Sequence, residues 1–358
     1  MKIDKVVTRQ AVVPLGAARG GSGATSLQVL HVTVHDIGGE SGTGFTYALT
    51  GGVEGARAIV DNLYGPRVTG ADPLQWDRLW HELQAATHRL GTGVATAALS
   101  ALDIAVWDLR ARAAGLPLHR FLGTHRESVP IYGSGRATHQ MSDEELIAGA
   151  LSYVEEGYGA IKLRAGVLGL DRDVARVAAV RGAVGADVQI MVDCNERLDL
   201  AQAQRLGQRL NDLDVAWLEE PLPSHDVAAH ALLASRCPVP IAAGEHLQGR
   251  FAFKQYLDQG AAAVLMPDAP LAGGITEWMR IAVLAEASSV AISPHFLPEL
   301  HVHLAAATRA ATWVEHFPLL DDLLLETLSP SGGVVCPPDR PGHGLLWDPD
   351  ALDRFSAS

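Results

Sequence analysis

Over the first fifty residues, apolar and polar positions alternate with period two in three runs: KIDKVVTRQAVVPL, SLQVLHVTVHD and GESGTGFTYAL. Successive strand side chains point to opposite faces, so these runs predict a small antiparallel sheet. Between the first two, residues 16–25 (GAARGGSGAT) are glycine-rich but match neither phosphate-binding spacing, and no helix pattern follows. They predict a mobile surface loop, a candidate lid if it overlies a site. From about residue 53 to 122 the period becomes helical, and residues 95–115 predict a strongly amphipathic helix ended by a glycine cap. Past residue 126 the pattern changes again. Short apolar runs (VPIYGSG, GAIKLRAG, VQIMVDCN, VAWLEEP, VPIAAGEH, AAVLMPDA, SVAISPHF, ATWVEHF) alternate with segments of helical length such as LDLAQAQRLGQRLNDL. Strand–helix alternation means parallel βα units, and eight such strands predict a (β/α)8-type barrel. The final stretch, CPPDRPGHGLLWDPDALDRF, is rich in Pro and Gly and is expected to pack back on the N-terminal region. The pattern thus divides the chain into a capping domain (1–125), a barrel (126–325) and a returning segment (326–358).

Composition narrows the classes. Charged residues make up 19% of the 358 and hydrophobic ones 48%, which calls for a large buried core. A net charge of −13, spread along the chain, argues against nucleic acid or an anionic membrane as partner. Cys194, Cys237 and Cys336 are widely spaced and form no CxxC or Cys/His zinc pattern, as expected of reduced thiols in the cytoplasm. The first residues lack the apolar core of a signal peptide, and no apolar run is long enough to span a bilayer. A soluble cytoplasmic protein is expected. No GxSxG elbow occurs, which weakens a Ser-His-Asp hydrolase.

The chemistry gathers where the strands end. The second strand carries Lys162 and Arg164, two residues apart and therefore on one side. The third ends in Asp193-Cys194-Asn195, the fourth in Glu219-Glu220, the fifth in Glu245-His246, the sixth in Asp268, the seventh in His295 and the eighth in Glu315. In a barrel of this kind the active site lies at the C-terminal ends of the strands. Asp193, Glu219 and Glu245 are each one βα repeat apart, so three carboxylates converge from neighbouring strands. Such a cluster repels itself unless a cation neutralises it, and all-oxygen ligation suits Mg²⁺. Cys194 alternates outward into packing and is no nucleophile. His301 and His303 differ by two on a helical segment, face different ways and do not suit a shared metal.

These motifs, in this order, resemble those of the enolase superfamily and its mandelate racemase subgroup over nearly the whole chain. The resemblance implies a modified (β/α)7β barrel with an α+β capping domain. It implies Asp193, Glu219 and Glu245 as Mg²⁺ ligands, with Asn195 completing the first motif. Asp268 and His295 match the Asp–His dyad, Lys162 the first lysine of the two-lysine strand, and Glu315 the carboxylate-contacting glutamate. Glu220 and His246 are placed to contact substrate. The implied chemistry is removal of the proton next to a substrate carboxylate, with Mg²⁺, a lysine and a protonated Glu315 stabilising the resulting charge. Glu315 can donate only if its pKa is raised. A small-molecule carboxylate is the expected partner, and a symmetric homo-oligomer, commonly an octamer, the expected assembly.

One position departs from the pattern. Arg164 stands where the family has its second lysine, and arginine does not give up its proton. Two-base racemisation therefore loses a base, while one-base chemistry through His295 remains. That favours dehydration of an acid sugar to a 2-keto-3-deoxy acid, with Arg164 expected to hold a distal hydroxyl or second carboxylate. The alternatives are a racemase or epimerase of a 2-hydroxy acid, and a catalytically silent binding protein that keeps the fold.

Overall fold

In a computed structural model of the chain, which describes residues 1–19, 23–49 and 51–357, twelve strands form two sheets. The first is antiparallel, in the order β1 (Ile3–Arg19), β2 (Ala24–Asp36) and β3 (Ser41–Ala48). The strands extend into the stretch expected to be a loop. β1 continues to Arg19 and β2 starts at Ala24, with Arg19 paired to Ala24. Ladder pairing there overrides the weak strand preference of glycine. Residues 20–22 of the candidate lid lie outside the described residues.

The helix Val94–Ala113 corrects a second expectation. It is buried on most sides rather than along one stripe, because it lies between β3 and the barrel. Gly42 and Gly44 permit the approach on the β3 side, since a Cβ at either would strike the backbone of this helix at Ala101, Ala105 and Leu109. On the barrel side, Ser100 Oγ accepts from Gly273 N–H at 2.9 Å and Asp103 Oδ2 from Thr276 N–H at 2.9 Å. Trp80 Nε1 donates to Gly273 O at 3.0 Å. The small sheet and its helices thus grip the segment that follows Asp268.

The second sheet is the barrel. β4 (Val129–Gly133), β5 (Ala160–Arg164), β6 (Gln189–Asp193), β7 (Val215–Glu219), β8 (Ile241–Ala243), β9 (Val264–Leu265) and β10 (Ala291–Ile292) pair in sequence order, and β11 (Val314–His316) pairs with β4. A parallel bridge from Ile292 to Ala311 closes the ring. Seven helices of eight or more residues separate the eight strands: Asp143–Glu155, Leu170–Val184, Leu200–Asn211, Val227–Ala234, Arg250–Gln259, Gly274–Ala287 and Pro298–Ala307, with the short helix Ala269–Ala272 preceding the sixth. This is a (β/α)7β barrel. Antiparallel β12 (Val334–Val335) joins the start of β4, and the chain then returns to the first sheet, where Ser356 bridges Ala11. No helix among the described residues is long and apolar enough to cross a membrane.

Inside the barrel, Tyr132, Ala160, Met191, Trp217, Ala242, Val264 and Met266 form an apolar layer. Strand alternation places Lys162, Asp193 and Glu219 two residues beyond Ala160, Met191 and Trp217, on the same inward face. The apolar layer is therefore the floor of the site.

Candidate active site

Register does the assembling. Arg164 is paired with Asp193, and Asp193 with Glu219, so three charged side chains stand in one row across β5, β6 and β7. Glu245 follows β8 after Gly244, whose φ of 145° lets the chain turn into the pocket. Oxygens of Asp193, Glu219 and Glu245 all lie within 4.8 Å of one another. Glu245 Oε2 is buried and accepts no hydrogen bond from the described residues. Asn195, Glu196, Glu220, Phe296 and Leu297 adopt left-handed backbone just past β6, β7 and β10. For non-glycine residues such conformations cluster where a site imposes them.

Lys162 sits fully buried among the acids, its Nζ 2.6 Å from Glu219 Oε1, 2.9 Å from Glu315 Oε1 and 3.4 Å from Asp193 Oδ2. Burial opposes its charge, but Glu219 and Glu315 outweigh burial and hold its pKa well above the usual range. Arg164 donates to Asp193 Oδ2 and, at 2.8 Å, to Asn195 Oδ1. Its guanidinium therefore clamps the end of β6, where a hold on distal substrate groups was expected. Asn195 is fixed from both sides, since its N–H donates to Asp193 Oδ1 at 2.8 Å.

Glu315 stands at the balance of several buried charges. Burial pushes its pKa up, but Lys162, His295 and Arg164 prevail and lower it to about 2. It accepts from Phe296 N–H at 3.0 Å. The raised group is Glu219, through burial and then Asp193.

His295 Nδ1 lies 2.9 Å from Asp268 Oδ2, and its Nε2 lies 3.4 Å from Glu245 Oε2. The Phe296 ring stacks on the imidazole at 3.7 Å. Burial disfavours the imidazolium, yet Glu245 and the Asp268 hydrogen bond raise its pKa above the ordinary value. Glu220 and His246 form a second pair, with His246 Nδ1 2.9 Å from Glu220 Oε2. Burial works against the His246 charge, but Glu220 raises its pKa to about 10. The His246 side chain is half exposed and lines the cavity, whereas Glu220 is buried beneath it.

Two residues of this site have roles that their place in the sequence does not reveal. Tyr47 of β3 donates its hydroxyl to Asp268 Oδ2 at 2.7 Å. His301 Nε2 accepts from Ala269 N–H at 3.0 Å, and its Nδ1 lies 2.7 Å from Phe296 O. This histidine braces the two segments that follow Asp268 and His295, and burial keeps it neutral by lowering its pKa. Cys194 is packed outward in the barrel wall, where burial pushes the thiol pKa up.

The cavity above these groups measures about 440 Å³. Arg164, Asn195, Arg197, Glu245, His246 and His295 supply polar lining from the barrel. Leu15, Ala24, Tyr47, Ala48 and Leu49 close it from the small sheet, so the two domains share the site.

A (β/α)7β barrel with carboxylates at successive strand tips, capped by an antiparallel sheet, defines an enolase-superfamily protein. Residues 145–351 match the family described as enolase C-terminal domain-like, and residues 2–123 match the mandelate racemase / muconate lactonizing enzyme N-terminal domain. The chain belongs to the mandelate racemase / muconate lactonizing enzyme family. It is 37% identical over 333 residues to the L-talarate/galactarate dehydratase of Salmonella typhimurium LT2, a match covering 91% of this chain and 82% of that one. A crystal structure of L-talarate dehydratase from Polaromonas sp. JS666 complexed with Mg and L-glucarate superposes with TM-score 0.93 at 36% identity, covering 100% of this chain and 98% of the other. A racemase from Streptomyces coelicolor A3(2) with bound magnesium superposes with TM-score 0.95 at 30% identity, covering 99% and 100%.

Proposed function

We propose that this protein is an Mg²⁺-dependent acid-sugar dehydratase that removes the proton next to the substrate carboxylate and expels the hydroxyl on the following carbon. The observation that carries this reading is the pairing of one dyad-backed histidine facing the cavity with an arginine in place of a second lysine. Dehydratase relatives agree with it.

Asp193, Glu219 and Glu245 would hold the metal. Glu245 Oε2, which accepts no hydrogen bond from the described residues, and the mutual repulsion of Asp193 and Glu219 both fit a cation. When bound, Mg²⁺ supplies a seat for the substrate carboxylate and offsets the charge that develops on it. His295 Nε2 takes the α-proton, with Asp268 orienting the ring through Nδ1. Lys162 stays charged and is a hydrogen-bond donor to the same carboxylate group. The electron pair of the broken C–H bond forms the C=C, and the C–O bond of the next carbon breaks. His295 returns the proton it took, so water leaves and an enol remains that rearranges to the 2-keto-3-deoxy acid. Arg164 keeps Asp193 and Asn195 in place and supplies no base. Asn195 and His246 line the cavity for the substrate's hydroxyls.

The test is incubation of the purified protein and MgCl₂ with a panel of aldonic and aldaric acids, reading 2-keto acid formation as the semicarbazone absorbance. Keto acid from at least one acid, lost in His295→Asn, is the expected result. Epimer formation without keto acid would replace the proposal with the racemase reading.

A further inference from the structure

Tyr47 comes from the small sheet, yet it touches the dyad of the barrel. Its hydroxyl donates to Asp268 Oδ2 at 2.7 Å, the same oxygen that lies 2.9 Å from His295 Nδ1. The two groups are near each other as well, with Tyr47 Oη 3.4 Å from His295 Nδ1. Asp268 Oδ1 is buried and accepts no hydrogen bond from the described residues. The orientation of this carboxylate therefore depends on two donors meeting at one oxygen, one from each domain. The neighbouring Thr46 Oγ1 donates to Pro270 O at 2.8 Å and fixes β3 against the Asp268 segment. Burial, and then Asp268, push the Tyr47 phenol well above its usual range, so it stays a donor.

We infer that Tyr47 is a positioning residue that fixes the Asp268 carboxylate, and through it the His295 tautomer with the proton on Nδ1 and the Nε2 lone pair toward the cavity. A carboxylate is an acceptor only, so His295 must present N–H at Nδ1 to bond to it. Groups that orient a histidine from behind commonly change activity by about 10–100-fold when removed, without touching substrate. The capping domain thus contributes to the base itself as well as to the wall of the cavity. The kinetic consequence rests on the proton-abstraction reading above, whereas the tautomer does not.

Tyr47→Phe keeps the ring and deletes the donor. The expected result is a kcat lower by about 10–100-fold with KM changed less than about threefold, and a larger isotope effect with α-deuterated substrate. In an Asp268→Asn background the same change should add less than about twofold, because it acts through Asp268. A second readout needs no turnover. In ¹H–¹⁵N spectra of histidine-labelled protein with MgCl₂, recorded at a pH high enough for the imidazole to be neutral, the His295 signal, identified by its loss in His295→Gln, should report a single Nδ1–H tautomer in wild type and a mixture in Tyr47→Phe. An unchanged tautomer in Tyr47→Phe would overturn the inference, as would a raised KM at unchanged kcat, which would make Tyr47 a substrate contact. If wild type turns over no acid, the functional reading fails, and the imidazole signal still decides the inference.

Discussion

Magnesium should stabilise this protein by a calculable amount, and one carboxylate should control the effect. Leaving Asp268 with His295 and Glu220 with His246 aside, and with Glu219 ionised as a metal ligand must be, the site holds four carboxylates, Asp193, Glu219, Glu245 and Glu315, against the cations of Lys162 and Arg164. The residual of two negative charges matches one divalent ion. An ion that binds only the folded state adds RT ln(1 + [Mg²⁺]/Kd), which is about 2.7 kcal/mol at a hundred times Kd. The unfolding entropy of a 358-residue chain is about 0.75 kcal/mol/K at the usual per-residue value, so Tm should rise by about 3–4 °C. Asp193→Asn removes one of the three proposed ligands. If affinity falls about 100-fold, the same Mg²⁺ concentration gives only about 0.4 kcal/mol, or half a degree. Differential scanning fluorimetry with and without MgCl₂, at constant ionic strength, reads both values. An equal shift in wild type and Asp193→Asn, or none in wild type, would refute the assignment of these carboxylates as the metal seat.

His295→Asn should lower kcat by about 10²–10⁴-fold while keeping the Mg²⁺ shift, because it removes the base and none of the metal seat; retained activity would move the base elsewhere. Arg164→Lys should introduce a second base: near pH 8 the neutral fraction of an ordinary lysine exceeds that of arginine by at least about 100-fold. Chiral chromatography should then detect an epimer of the accepted acid that wild type does not make, and its absence would show that Arg164 does not stand where a base could reach. Acid stability should depend on His31, buried with neither ring nitrogen hydrogen-bonded to the described residues. Burial, then His343 and Arg9, lower its pKa from 6.5 to about 4. The unfolded chain takes the proton first, so this contribution is present above pH 6.5 and is lost on acidification toward pH 4, reaching about 2–3 kcal/mol at pH 4.5. His31→Phe should flatten that limb in urea melts between pH 7.5 and 4.5, and an unchanged slope would locate the acid lability in other groups.

Much of the site could be read from residues at strand ends. Asp193, Glu219 and Glu245 were visible because βα repeats bring equivalent strand tips together, and parallel register then aligns them with Arg164. The segment near Phe45 to Leu49 is where a capping domain would meet substrate, but the contact of Tyr47 with Asp268 was not visible. Tyr47 lies 221 residues from Asp268, in a strand whose alternation gives no hint of a partner in another domain. His301 sits on a helix whose buried faces serve both packing and the dyad, so spacing alone could not assign it. The charge balance at Glu315 was not legible, since burial raises its pKa whereas Lys162 at 2.9 Å lowers it. The buried helix Val94–Ala113 reads as amphipathic because charges at its C-terminal end obscure a middle that is enclosed on both sides. In each case the missing information is a contact between domains or the balance of several buried charges, neither of which a local pattern encodes.

The central claim is one-base abstraction of an α-proton followed by loss of the neighbouring hydroxyl. Proton NMR of an accepted acid in deuterated water with MgCl₂ follows both events in one sample. The account predicts that the α-proton signal disappears in step with the growth of keto-acid signals, with no epimer of the starting acid. Loss of the α-proton with inversion and no keto acid would contradict it, and would require a second base that Arg164 cannot be.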